Sequence, residues 1–327
     1  ENVTPSGAQT YSKSRRTLPP GIVPLYADRA EGCRIWDVDG NEYVDLISGL
    51  AAVNLGYGDP EVIAAVTRQL SLGVTISLSH PLEAIVSQQV IDLVPCAEMV
   101  HFGKNGSDAT TAAIRIARGF TGRDHVITCG YHGWQDWYIG AIESRGFGIP
   151  KAFSELLHPV PYNDLGAVEA ELKRNPTAAM IMEPMTMEWP NSGYLEGVRA
   201  LTEKHGAVLI FDEMVTGFRF ANGGAQEYFN VTPDLAAFGK GMANGFPLSA
   251  VVGRRELMKV LETAFISGTF GGELLSLTAA NVVLNRIATT SVLSDIAAIG
   301  VDLLTRIQAI VDEFELEDVL TFAGHPS

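Results

Sequence analysis

Short apolar runs of four or five residues recur between Met99 and Val252, each closed by a glycine or a polar residue: Met99–Phe102, His125–Cys129, Ala178–Met182, Ala207–Phe211, Leu235–Phe238 and Ser249–Val252. Runs of this length read as buried strands. The stretches between them carry helical spacing. Ala109, Ala112, Ala113, Ile116, Ala117 and Phe120 fall on one face, and Val198–His205 reads as a second helix. Strands that are apolar on both faces, alternating with helices, predict an α/β fold with a mostly parallel central sheet covered by helices.

The flanks differ. Residues 1–30 read as irregular, broken by Pro5, Pro19, Pro20, Gly21 and Pro24. Arg34–Ile47 holds two alternating runs around Asp39-Gly40-Asn41, the pattern of a β-hairpin. Asp59-Pro60-Glu61 starts a helix expected to reach about Leu72, and a second runs from Pro81 to about Leu93. After Gly272, Leu274–Ala288 and Val292–Phe314 carry 3.6-period stripes, and Leu316–Phe322 suggests a further strand. At 327 residues the chain exceeds what a single core usually supports. The expected division is an N-terminal segment and hairpin of a small domain over 1–60, a large domain over 61–290, and the start of a C-terminal small domain over 291–327.

Composition narrows the class. Hydrophobic residues make up 46% and charged residues 19%, ordinary for a globular chain with a substantial core. The formal net charge of −15 argues against a nucleic-acid partner; the one dense basic cluster, Lys13, Arg15 and Arg16, does not reverse it. No apolar run reaches membrane-spanning length, and the polar first residues predict no signal peptide. Cys33, Cys96 and Cys129 are odd in number and widely spaced, which suggests neither a disulfide framework nor a zinc site and fits a reducing cytoplasm.

The candidate chemistry lies where the strands end. Gly239-Lys240-Gly241 closes one run, and a desolvated amine there can attack a carbonyl to form a Schiff base. Asn105-Gly106-Ser107 leads into a helix N-terminus, where exposed N–H groups and the Ser107 hydroxyl can cradle a phosphate. Tyr131 offers an aromatic face between Gly130 and His132-Gly133; His132 itself is assigned no chemistry. Asp212 ends the apolar run Val208–Phe211, so its carboxylate needs a cationic partner such as a protonated ring nitrogen. Met214 faces the same side. A lysine amine, a carboxylate, an aromatic plate and a phosphate cradle together are the parts that pyridoxal phosphate requires.

Phe211-Asp-Glu-Met-Val-Thr-Gly-Phe-Arg219 followed by Phe238-Gly-Lys-Gly-Met-Ala-Asn-Gly-Phe-Pro247 resembles the class III pyridoxal-phosphate aminotransferases, and most of all the branch containing glutamate-1-semialdehyde aminomutase. Trp36–Asp45, Gly58–Val62, Tyr131–Gly133 and Ser267–Gly271 agree, so the resemblance spans residues 18–327. It implies a fold type I enzyme working as a homodimer with active sites shared between subunits. Lys240 would form the Schiff base and shuttle the proton, Asp212 would hold the ring nitrogen protonated, and Tyr131 and Met214 would sandwich the ring. Gly106 and Ser107 would bind the phosphate with Thr269 of the neighbouring subunit, and Glu183 would order polar groups near the ring. Ser144 and Arg15 are substrate-side candidates. The sequence departs from the family pattern at Asn105, at Gly272-Glu273 and in a shortened segment at Leu18–Pro24, and Val215 is apolar as in the aminomutase branch. The family's chains also run further, completing the small C-terminal domain.

The leading expectation is therefore transfer of an amino group between a small-molecule amino donor and a keto or aldehyde acceptor. The alternative is intramolecular transfer on glutamate-1-semialdehyde; decarboxylation or racemisation of an amino acid ranks third. A nicotinamide dehydrogenase would need a glycine fingerprint that is absent here, and a non-catalytic relative would leave these groups unused.

Overall fold

A computed structural model describes residues 2–19, 21–142 and 144–327; Pro20, read above as a breaker, lies outside the described residues. Two sheets are present among them. A small antiparallel one orders β1 (Ala27–Glu31), β2 (Arg34–Asp37) and β3 (Glu42–Val44). The large one contains β4 (Met99–Gly103), β5 (His125–Cys129), β6 (Leu157–Pro159), β7 (Thr177–Met182), β8 (Val208–Asp212), β9 (Leu235–Phe238) and β10 (Ser249–Gly253), in the order β4-β10-β9-β8-β7-β5-β6. β6, β5, β7, β8 and β9 run parallel; only β10 runs against its neighbours β9 and β4. The mostly parallel sheet of a fold type I transferase is thus observed.

β7, β8, β9 and β10 are buried at every position because both faces of the large sheet are covered there. Successive residues point to opposite sides. On β8, Leu209 and Phe211 join one buried cluster and Val208 and Ile210 the other. The first cluster is closed by α1 (Pro60–Leu70), α2 (Pro81–Leu93), α4 (Leu165–Arg174), α5 (Tyr194–His205) and α6 (Leu274–Thr289). The second is closed by α3 (Gly106–Thr121), whose small residues Ala109, Ala112, Ala113 and Ala117 let the helix sit close to the strands. α7 (Val292–Glu313) follows α6 and is mostly exposed. No single helix among the described residues is long and apolar enough to cross a membrane.

The helix starts follow the sequence signals. Asp59 Oδ1 accepts from the Glu61 and Val62 N–H groups at 3.1 Å each, and Arg286 of α6 reaches Asp59 Oδ2 at 2.7 Å, tying α6 to the start of α1. α1 stops at Leu70, short of Leu72. His80 and Glu83 form a reciprocal capping box at α2.

Two expectations need correction, and one strand carries no sequence signal. The segment read as irregular up to residue 30 contains β1; its sequence, Ala-Asp-Arg-Ala-Glu, is exposed along its whole length and shows no alternation, so only backbone pairing with β2 makes it a strand. β6 escaped notice because it is a three-residue edge strand ending in proline. Leu316–Phe322 is not a strand. Val319 and Leu320 fold back by N–H bonds to the Leu316 carbonyl, both at 2.9 Å, and none of the described strands pairs with the segment.

Candidate active site

The strand register brings the candidate residues together. Cys129 pairs with Met182, Met182 with Phe211, Asp212 with Ala237, Ala250 with Phe238, and Gly103 with Ser249. The carboxyl ends of β4, β5, β7, β8 and β9 therefore share one edge of the sheet, where ligands bind in folds of this type. A cavity of about 410 Å³ opens there. Gly106 and Ser107 line it from the start of α3, Tyr131 and His132 from β5, Glu183 from β7, Asp212 and Met214 from β8, and Lys240 from β9.

Lys240 sits at φ +45°, an unusual conformation for a residue with a side chain, between the extended Gly239 and a short 3₁₀ turn. Burial lowers its ammonium pKa from the ordinary 10.5; Asp212 and Glu183 pull the other way, and Arg219 adds to the lowering. A Cβ at Gly239 would stand 2.9 Å from Met214 Sδ, so a side chain there would displace Met214. Gly106 is constrained by the same sulfur at 2.8 Å, so Met214 packs against both the lysine strand and the cradle.

Asp212 is 3% exposed. Its Oδ1 accepts from the Met214 N–H at 3.1 Å, and its Oδ2 lies 2.8 Å from His132 Nδ1, where the ring N–H is the donor. His132 is held by Thr110, whose hydroxyl donates to the His132 carbonyl at 2.9 Å; its Nε2 is buried without a partner. Glu183 accepts the Tyr131 N–H at 2.8 Å, and burial raises its pKa, aided by Asp212 and opposed by that hydrogen bond. Gly130, at φ +107°, leaves the space that Glu183 occupies. Ser107 accepts the Trp134 N–H at 3.2 Å, which binds the cradle to the loop after β5. Tyr131 is half exposed at the mouth.

The lysine loop is clamped to the segment between the small sheet and α1. Asn244, at φ +46°, accepts from the Asn54 and Leu55 N–H groups at 3.0 and 2.9 Å and donates to the Gly56 carbonyl at 3.0 Å. Asn54 donates to the Phe218 carbonyl at 2.9 Å and accepts from Arg219, and its amide fills the space beside Gly241. Three chain segments are thus locked around Lys240. Asn244→Ala is expected to lower stability by about 2 kcal/mol, because it strands two partly buried N–H groups. Denaturant unfolding measures this; an unchanged midpoint would contradict the clamp.

The remaining candidates lie elsewhere. Thr269 lines a separate cleft of about 540 Å³ beside β4 and α3. Ser144 and Arg15 are exposed and do not line the Lys240 cavity. Sequence reading missed the His132–Asp212 contact and the roles of Asn54 and Asn244. The Tyr131-His132-Gly133 motif was visible, but a partner 80 positions away was not.

The cavity suits a planar, anionic, electron-withdrawing cofactor. It combines an amine of lowered pKa, a buried carboxylate, an aromatic ring at the mouth, and the first turn of α3 at Gly106 and Ser107.

Comparison with known proteins agrees. The Aminotransferase class-III family profile matches residues 18–320. A 3-aminobutyryl-CoA aminotransferase of Cloacimonas acidaminovorans is 38% identical over 317 residues, covering 94% of this chain and 75% of that protein. A glutamate-1-semialdehyde 2,1-aminomutase of Methanothrix thermoacetophila is 38% identical over 340 residues, covering 95% and 79%. The solved structure of the Sphingopyxis sp. MTA144 FumI protein, in its pyridoxal-phosphate internal aldimine form, superposes with a TM-score of 0.89 at 29% identity, covering 95% of this chain and 76% of that one. With its sheet, its strand-end cavity and a profile match over almost its whole length, this chain belongs to the class-III aminotransferase family.

Proposed function

We propose that this chain is a pyridoxal-phosphate-dependent aminotransferase that moves an amino group from a small-molecule donor to a keto or aldehyde acceptor through Lys240. The observation that carries this reading is the juxtaposition of Lys240 and Asp212 in one cavity at adjacent strand ends. The cofactor, when bound, supplies an aldehyde for the lysine amine and a ring that accepts the electron pair released at the substrate carbon.

The chain's own groups divide the remaining work. Lys240 Nζ would hold the cofactor's aldehyde and carry the proton to and from the substrate carbon; burial lowers its pKa, which favours the neutral, basic form. Asp212 would hold a proton on the ring nitrogen, and His132 and the Met214 N–H fix the carboxylate's orientation. Tyr131 and Met214 would cover the ring's faces, and Gly106 and Ser107 would take the phosphate with Thr269 of a second subunit. Thr269's place in a separate cleft of its own chain is compatible with a homodimer in which it serves the neighbouring site. Glu183, tied to the Tyr131 backbone, orders the polar groups nearby. Ser144 and Arg15 remain substrate-side proposals, and a cytoplasmic setting goes with the three unpaired cysteines. The division into a small N-terminal part, a large cofactor-binding part and the start of a C-terminal part belongs to the same reading.

A second reading, intramolecular amino transfer on glutamate-1-semialdehyde, is favoured by the apolar Val215 beside Met214; the Methanothrix aminomutase and the Cloacimonas aminotransferase are each 38% identical to this chain. Stoichiometry separates the two. An aminotransferase consumes a separate donor and releases its keto acid in step with product, and turnover without donor consumption would sink the leading reading.

A further inference from the structure

A phosphate monoester carries close to two negative charges at neutral pH. The cavity already holds two carboxylates, Asp212 and Glu183, and the phosphate anchors proposed above are all neutral. Among the described lining residues only two lysines and no arginine are present: Lys240, whose amine is committed to the cofactor's aldehyde, and Lys104. Lys104 immediately precedes the cradle Asn105-Gly106-Ser107, and it also lines the neighbouring cleft that contains Thr269. It stands in the wall between the two.

Its position is fixed from two sides. The backbone N–H groups of Lys104 and Asn105 both donate to Asp108 Oδ2, at 3.0 and 2.8 Å, so the cradle's entry is pinned to the first turn of α3. The ammonium donates to Glu273 Oε2 at 3.0 Å, with side-chain exposures of 16% and 12% for lysine and glutamate. Glu273 is itself immobilised: its carboxylate caps α6 by accepting from the N–H groups of Leu275 and Ser276 at 2.6 and 3.2 Å and from the Ser276 hydroxyl at 2.6 Å. Glu273 follows Gly272 at a point where this sequence departs from the family pattern, so the pair is a feature of this chain's own residues.

We propose that Lys104, oriented by Glu273, supplies the positive charge that receives the cofactor's phosphate. This rests on the pyridoxal-phosphate reading above. Lys104 lines the cavity next to the cradle; its ammonium is bonded to Glu273 at the start of α6, not to Asp212 or Glu183, and an incoming phosphate would share it with Glu273.

Equilibrium dialysis of the apoenzyme against pyridoxamine 5′-phosphate and pyridoxamine tests this without any covalent bond to Lys240. Lys104→Met should weaken binding of the phosphorylated ligand by about ten- to a hundredfold while leaving pyridoxamine unchanged. Lys104→Arg, which keeps the charge, should stay within a few-fold of wild type. Glu273→Gln, which leaves the ammonium in place, should weaken the phosphorylated ligand less than Lys104→Met does. Unchanged pyridoxamine binding doubles as proof that a variant is folded. Equal weakening of both ligands by Lys104→Met, or a loss in Glu273→Gln matching that in Lys104→Met, would reduce the pair to a structural tether and overturn the proposal. A wild-type apoenzyme that did not prefer the phosphorylated ligand would instead overturn the cofactor reading beneath it.

Discussion

Lys240→Ala is expected to abolish the Schiff-base absorbance near ~400 nm that the purified wild-type protein should show, and to lower turnover by roughly 10⁴-fold or more. Among the described residues only Lys104 joins Lys240 as a lysine lining the cavity, and Lys104 is held by Glu273. The fold should survive, because the loop is held by Asn244 and Asn54 and not by the lysine side chain. A persistent band in Lys240→Ala would refute the assignment. The pH dependence has a definite sign. Burial lowers the Lys240 pKa, so at any pH below the free-lysine midpoint of 10.5 a larger fraction of this amine is neutral. In the apoenzyme, Lys240 should therefore react with an acylating reagent at lower pH than the exposed lysines. A labelling midpoint at or above 10.5 would contradict the desolvated site.

The second large effect is expected at Asp212. Asp212→Asn preserves the side chain's shape and an oxygen for the Met214 N–H, but it removes the charge that would hold a proton on a ring nitrogen. Its amide also disturbs the contact with His132, whose Nε2 is already without a partner in the buried interior. Turnover should fall by about 10³-fold, the scale seen when a preorganised electrostatic partner is removed. Binding of the phosphorylated cofactor should weaken far less, since the cradle on α3 is untouched. Measuring kcat and cofactor affinity side by side separates the two effects. A kcat within about tenfold of wild type would mean that Asp212 has some other partner. His132→Ala should show a smaller version of the same pattern, because it orients the carboxylate without replacing it.

Much of this was legible in the chain itself. Leu235–Phe238 had to be a buried strand because four consecutive apolar residues end at a glycine, and the computed structure places it there with the same limits. β5 and α2 likewise begin and end where the pattern put them. Polar residues that interrupt such runs at their carboxyl ends, Asp212 and Lys240 above all, announce themselves because burial of an uncompensated charge is costly. The less legible elements were those without an internal signal. β1 is a strand only because β2 offers it a ladder, and Leu316–Phe322 is not one because none of the described strands does.

The sequence alone thus determined the layered α/β class, the candidate residues at the strand ends and the family, since hydrophobic period and local motifs are written within a few consecutive residues. The order of the strands, and with it the meeting of Lys240, Asp212, Glu183 and Tyr131 in one cavity, was decided by tertiary structure. So were His132 against Asp212, Asn244 against Asn54 and Lys104 against Glu273, pairs separated by 80, 190 and 169 positions. Contacts across such separations leave no local pattern, because the side chains that make them meet only after the sheet has set their distance and direction.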